Sequence, residues 1–332
     1  MAPDVPLAGA QPGERWVVRH RLPDGSATDV IGWVEAVDAT SVRLSVVGGP
    51  IRVIERMTIV VARRVPSAAG GPHPRRISAE DLERHTLPGW LALHEPLGEW
   101  TLRSAGGFTG RANSCHAEGD PGVPIVEAAE RIIAYAAQHG ITPMAQVITG
   151  SEPDLALRSV GWIDTYVPTD VLAVRLGELL ENRPSDDRVE VQETLQADWW
   201  QAYQRSRPNS ADPTLLRMIL DGNPPRAFAT VHDHRQPERG TIAIARGHRS
   251  GDWLGLASIW TSDEYRRQGW ATKMIIRLGH WAARQGARYG YLQVASANEE
   301  AIAAYERLGF TRHHTYHYLS PGARAEAPSH VP

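Results

Sequence analysis

The sequence predicts an α/β (α+β) chain in which two mixed-sheet halves lie in tandem behind a small all-β barrel. Three observations carry this prediction. Residues 14–65 are short β-type runs broken by Gly, Asp and Pro turns. Residues 80–183 read as strand, helix, strand, helix, strand, and the same order returns after Trp253 within residues 184–322. Between Thr261 and Phe310 a basic, glycine-containing turn opens a helix, a short apolar strand follows, and a second helix stops at Gly309.

In chain order, residues 1–13 are rich in Pro, Gly and Ala and are expected to be a disordered tail, as are residues 323–332. The runs RWVVRHRL, DVIGWVEAV, SVRLSVV and IRVIERMTIVVARRV then suggest a five-strand barrel of SH3-like size. It reads either as a partner- or nucleic-acid-binding module or as a structural appendage. Its aromatic residues beside basic ones amount to Trp16 and Trp33, which favours the appendage. Residues 66–79 are a Pro/Gly-rich linker, and Ser78 followed by Glu80 and Asp81 is a good helix start.

Composition excludes several classes. A hydrophobic fraction of 42% with 22% charged residues describes a globular chain with ample core. No run is long enough to span a bilayer, and MAPDVPLAGAQPGE lacks the blocks of a signal peptide, so a cytoplasmic protein without a membrane partner is expected. Cys115 stands alone, which leaves no intrachain disulfide and no cysteine-based zinc site. A net charge of −3 argues against a nucleic-acid partner. Lys273 is the only lysine.

In the first half, helices are expected over Ile125–His139 and Glu152–Val160, with strands at Met144–Ile148 and Asp170–Arg175. In the second, a strand at Val189–Thr194 precedes helices over Ala197–Ser206 and Pro213–Leu220. Strands follow at Arg226–His232, Gly240–Gly247 and Trp253–Thr261.

The stretch after Thr261 carries the chemistry. Arg266, Arg267, Gln268, Gly269, Trp270, Ala271 and Thr272 form a basic turn running into a helix N-terminus. Such a terminus presents N–H groups without internal partners at the positive end of a dipole, and suits a pyrophosphate. Glycine permits close approach of the main chain, and arginine keeps its charge. Farther on, Asn298, Ala301, Tyr305, Gly309 and Phe310 form N-x-x-A-x-x-x-Y-x-x-x-G-F. Singly these have ordinary readings: Asn298 as an N-cap, Ser296 with Glu299 as a capping box, Tyr305 as a core aromatic, Gly309 as a helix stop.

Together, and in this order with a strand between them, the two motifs resemble those of the GCN5-related N-acetyltransferase (GNAT) superfamily. The resemblance implies that the basic turn binds the pyrophosphate of acetyl-CoA. It further implies that pantetheine pairs with the splayed strand end Ile259, Trp260, Thr261, with a backbone N–H there serving the thioester oxygen. Asn298 would lie near pantetheine, and Tyr305 would give a proton to the coenzyme A sulfur. The implied acceptor is a small-molecule or protein amine, the cofactor is acetyl-CoA without metal, and the protein would be a monomer or homodimer. Gly107 to Ser114, G-F-T-G-R-A-N-S, also resembles a G-[YF]-T-x-R-A-N-S segment in the first half of some bacterial two-part members.

The first half departs from the pattern at the phosphate turn, where Glu118, Asp120, Pro121 and Pro124 supply negative charge and remove N–H donors. One cofactor site is therefore expected, in the second half. Arg111, Asn113 and Ser114 are candidates for an acceptor wall, with turn hydrogen bonding as their plainer role. Leu254 to Trp260 contains no acid, so the base is open among Asp252, His248, His313, His314, His317 and ordered water. His313 and His314 are adjacent and would point to opposite strand faces, which argues against a metal cluster. The loop Arg207 to Asp212 would line the acceptor entrance by the same resemblance. The rival reading is a non-catalytic acyl-CoA-binding sensor.

Overall fold

The computed structural model describes residues 7, 9–207, 212–222, 225–233 and 240–322. The expected tail at 323–332 and most of the loop expected to line the acceptor entrance lie outside these residues.

The N-terminal strands β1 (Arg15–Arg21), β2 (Ala27–Val37), β3 (Ser41–Ser45), β4 (Arg52–Glu55) and β5 (Ile59–Arg64) form one antiparallel sheet in the order β4-β3-β2-β1-β5. Val18, Val34, Val42, Leu44 and Ile54 fill its core. Leu7, assigned to a disordered tail by composition, is buried in that core, and Gly13 N–H donates to the Val34 carbonyl. Apolar burial and a backbone hydrogen bond thus hold part of a segment that Pro, Gly and Ala make look loose. Trp33 leaves the barrel and is buried in the main core beside Ala68, Leu176, Leu179 and Leu180. With Arg284 paired to Glu35, it docks the barrel as an appendage packed on the body.

The body begins with α1 (Ala79–Thr86), capped by Ser78 as expected. It continues through β6 (Leu93–Leu97), β7 (Trp100–Ser104), β8 (Cys115–His116), α2 (Ile125–Gln138), β9 (Ala145–Ile148), α3 (Glu152–Ser159), β10 (Trp162–Asp164), β11 (Thr169–Arg175) and α4 (Leu176–Leu179). The second half comprises β12 (Glu190–Gln192), α5 (Ala197–Ser206), α6 (Pro213–Asp221), β13 (Arg226–His232), β14 (Thr241–Ser250), β15 (Trp253–Thr261), α7 (Trp270–Arg284), β16 (Tyr289–Ala295), α8 (Glu299–Glu306) and β17 (Thr311–Pro321).

All body strands join one sheet, ordered β12-β13-β14-β15-β16-β11-β17-β9-β8-β7-β6, with β10 beside β17. Each half contains one parallel pair bridged by a helix, β8 with β9 across α2 and β15 with β16 across α7. The halves trade final strands. β11, which ends the first half, inserts between β16 and β17, and β17, which ends the second, pairs with β9. Neither half's sheet is complete without the other. Among the described residues no helix is long and apolar enough to cross a membrane.

Two buried bases fasten the halves. Arg246 on β14 donates to the carbonyls of Gly89, Ile219 and Leu220, satisfying the end of α6 and gripping the first half. His248, two residues on, hydrogen-bonds the Tyr291 hydroxyl at 3.1 Å. A Cβ at Gly89 or Gly255 would overlap its ring, so both positions must be glycine for the halves to close here.

Candidate active site

The site is built where β15 and β16 stop pairing. Their parallel register runs from Trp253 and Tyr289 to Leu256 and Leu292, and both strands then continue apart. A bulge causes the departure: the β14 register jumps between Ile244 and Arg246, leaving Ser258 and Ile259 out of the ladder, and Ser258 takes φ 53°. That conformation is costly for serine and turns the strand away from its neighbour. The opening is a cleft of about 430 Å³. Its lining includes Leu256 to Ile259 from one strand, Leu292 to Ala295 from the other, and Asn298, Ala301 and Tyr305 from α8.

Of the residues singled out from sequence, Ile259, Asn298 and Tyr305 meet in this cleft. Asn298 Oδ1 accepts from Ala301 N–H at 3.2 Å, so it caps α8 while facing the cavity. Ser296 does not form the capping box, because its hydroxyl donates to Asp170. Tyr305 packs on Phe310 with ring centroids 6.1 Å apart, and burial raises its phenol above the ordinary value. Trp260 turns to the opposite face, onto the Trp199 cluster, as strand alternation requires. Thr261 ends β15 opposite Ala243.

The basic turn lies beyond the end of β15. Arg267 and Gly269 both adopt left-handed backbone, at φ 60° and 80°, and the first α7 hydrogen bond is Lys273 N–H to the Gly269 carbonyl. The N–H groups of Trp270, Ala271 and Thr272 therefore precede the helical ladder. A Cβ at Gly269 would meet nothing within 4 Å, so the main chain stands open to a ligand. Arg266 pairs with Asp263 at 2.7 Å, with both side chains exposed, a contact weak enough to give way to phosphate. Gln268 Nε2 donates to the Glu264 carbonyl. Arg188 and Lys273 lie 5.2 and 4.4 Å from the Trp270 ring centroid, which anchors the start of the helix. An open turn beside splayed strands with unpaired main chain fits the shape and charge of acetyl-CoA.

The first half supplies another wall. Thr109, Gly110 and Arg111 line the cleft, joined by Tyr166, Thr169 and Tyr318. Asn113 accepts from the N–H groups of Ala105 and Gly107 and donates to the carbonyls of Phe108 and Thr109. Ser114 donates to the Gly110 carbonyl. These two residues hold the loop, and Arg111 alone of the three reaches the cleft.

The candidate bases lie elsewhere. His248 is fully buried, and burial, aided by Arg246, pushes it down to about 3. His317 is buried against Asp154 at 3.0 Å. His314 reaches Glu83 at 2.9 Å, and His313 joins His314 through their Nδ1 atoms at 2.9 Å. The register of β17 against β11 jumps past His313, so a bulge brings the adjacent rings together where strict alternation would separate them. Asp252 pairs with Arg288. Among the described residues the cleft lining contains no carboxylate and no imidazole.

The corresponding opening in the first half is filled. Glu83 from α1 accepts from His116 on β8, Gln146 on β9 and Thr86, beside the parallel β8–β9 pair. Burial alone would raise this carboxyl, but the bonds from His116 and His314 outweigh it and hold it well below the usual carboxylate range. Four residues before the helix-closing Gly161 stands Leu157, where Tyr305 precedes Gly309.

Residues 80–319 match the family model described as the C-terminal domain of the probable histone acetyltransferase Rv0428c. Residues 10–63 match the Rv0428c N-terminal Sm-like domain, so the barrel that strand lengths suggested was SH3-like is Sm-like. The uncharacterized N-acetyltransferase YobR of Bacillus subtilis is 30% identical over 102 residues. That match covers 30% of this chain and 39% of YobR, so the chain aligns with well under half of this relative's length. A GCN5-related N-acetyltransferase from Kribbella flavida superposes with a TM-score of 0.51 at 19% identity, covering 74% of this chain and 97% of its own. The fold is that of the GNAT superfamily.

Proposed function

Because the chain belongs to the acetyltransferase family of the Rv0428c C-terminal domain, we propose that it transfers acetyl from acetyl-CoA to a primary amine by direct attack in a ternary complex. The observation that carries this reading is the bulge at Ser258, which opens β15 from β16 at the cleft that Tyr305 also lines. Acetyl-CoA supplies the activated thioester; the residues of the chain bind it, orient it and move protons.

The turn from Arg266 to Thr272 holds the pyrophosphate through main-chain N–H groups and arginine charge. Ile259, Trp260 and Thr261 offer the backbone of the departing strand to pantetheine, where an N–H stabilises the oxyanion. Asn298 stands beside that arm. Tyr305 donates its proton to the leaving sulfur, and its raised pKa keeps that proton in place at neutral pH. With no acid or histidine among the described lining residues, the acceptor ammonium loses its proton to water in the cleft. The first half keeps its own opening plugged by Glu83 and acts as a wall.

A small-molecule amine is the favoured acceptor. The histone named in the family description makes a protein amine the second candidate. The test is transfer of labelled acetyl from acetyl-CoA into a bacterial lysate separated into small-molecule and protein fractions, with coenzyme A release followed in parallel. Label in the small-molecule fraction is expected. Acetyl-CoA binding with no label in either fraction would overturn catalysis in favour of an acyl-CoA sensor.

A further inference from the structure

The cleft carries a cation from the first half. Among the described residues its lining includes Arg111 and no aspartate or glutamate, although the chain as a whole is acidic. The amine to be acetylated arrives as a cation, and the Arg111 guanidinium repels it. A lysine-rich protein segment would meet that repulsion many times over. An acceptor with its own anion would find the wall attractive.

Arg111 is placed to take that anion. Its Nε donates to the Tyr316 hydroxyl at 2.8 Å, its Nη2 to the Gln293 carbonyl at 3.3 Å, and its guanidinium lies 5.2 Å from the Trp90 ring centroid. All three partners are neutral. Among the described residues no hydrogen bond engages Nη1. Glu83, a carboxylate that acts on it through space, is already taken up by His116, His314, Gln146 and Thr86. A partly buried, permanent cation without a counterion is expensive to keep, and the planar fork of a guanidinium matches carboxylate or phosphate oxygens.

The loop that presents Arg111 is rigid before any ligand arrives. Asn113 bonds four main-chain groups, Ser114 adds a fifth, and Thr109, a β-branched residue, is held at φ 63° on the cleft rim. Pre-organisation of this kind strengthens binding by removing the cost of ordering the loop.

We infer that the acceptor is an amine that also carries an anionic group, carboxylate or phosphate, gripped by Arg111 in the cleft that Tyr305 lines. This rests on the acetyltransferase reading but is tested apart from it, by binding to the full-length protein saturated with coenzyme A. Calorimetry compares serine with ethanolamine and with O-phosphoethanolamine, lysine with cadaverine, and all of these with a lysine-rich peptide. Serine and lysine, or O-phosphoethanolamine, should bind at least roughly tenfold tighter than the amine lacking the anion, the worth of one charge-assisted contact. Which anion is preferred identifies the group. The Arg111→Gln variant should erase the preference and Arg111→Lys should keep part of it, with the acetyl-CoA affinity of both unchanged. Should either variant fail to fold, the wild-type comparison alone decides. Equal affinity within the pairs, tightest binding of the lysine-rich peptide, or no binding of any probe overturns the inference. Selective binding without coenzyme A release on adding acetyl-CoA would instead overturn the acetyltransferase reading and leave the anion site standing.

Discussion

Burial lifts the Tyr305 phenol above its ordinary value, so the hydroxyl is protonated at neutral pH and holds the proton that the proposed step gives to the leaving sulfur. Replacing only that hydroxyl, Tyr305→Phe should lower kcat by about 100-fold while leaving acetyl-CoA affinity as it was. Equal losses in both, measured by coenzyme A release and by calorimetry, would reduce Tyr305 to a packing residue. The lack of imidazole and carboxylate among the described cleft residues sets a second expectation. Catalysis should gain with pH until the acceptor's own amine is deprotonated, because water rather than a side chain accepts the proton. A kcat/KM profile with a limb at pH 6–7 that stays fixed when acceptors of different basicity are compared would instead point to an enzyme histidine. A local motif singled out Tyr305 and Asn298, and both line the cleft. Arg111 stood out only as a member of a distinctive segment, since its place in the cleft depends on contacts with Tyr316 and Gln293, far along the chain.

The turn between β15 and α7 behaves as one element, because its left-handed Arg267 and Gly269 expose main-chain donors at the start of a helix. Charge reversal there acts on phosphate directly. Arg267→Glu should weaken acetyl-CoA binding by roughly tenfold or more, the worth of a charge-assisted contact turned repulsive, with no change in melting temperature. Unaltered affinity would sink the pyrophosphate assignment. Elements set by local signals were readable from sequence: α7 from its apolar period, α8 from the stop at Gly309, α1 from its Ser78 cap. What was hidden is the result of pairing between distant segments. Nothing local in Thr169–Arg175 marks its insertion between β16 and β17, and nothing local in His313 marks the bulge that turns its ring onto His314. Nothing local marks the burial of Glu83, which follows from partners on three strands.

At the scale of the whole molecule, exchanged strands and buried polar groups make the halves a single unit, and those groups tie its stability to pH. His248 lies between Gly89 of the first half and Gly255 of the second, with its pKa pushed from 6.5 to about 3 by burial first and by Arg246 second. A group whose folded pKa lies below its unfolded value contributes stability that is complete above the unfolded pKa and is lost as pH falls. For His248 that loss begins near pH 6.5 and ends near 3. At pH 5 it amounts to roughly 2 kcal/mol, at about 1.4 kcal/mol for each pKa unit. His116, also lowered by burial, adds in the same direction, and Glu83, held low by its histidine bonds, adds a further loss only below the usual glutamate range. Urea unfolding should therefore show the protein less stable at pH 5 than at pH 7 by at least that amount. The His248→Gln variant should start lower at pH 7, having lost the Tyr291 bond, yet fall less between the two values. If the wild type and the variant lose the same free energy over this interval, His248 titrates freely in the folded protein. The two halves would then have to be fastened at that point by something other than a buried neutral imidazole.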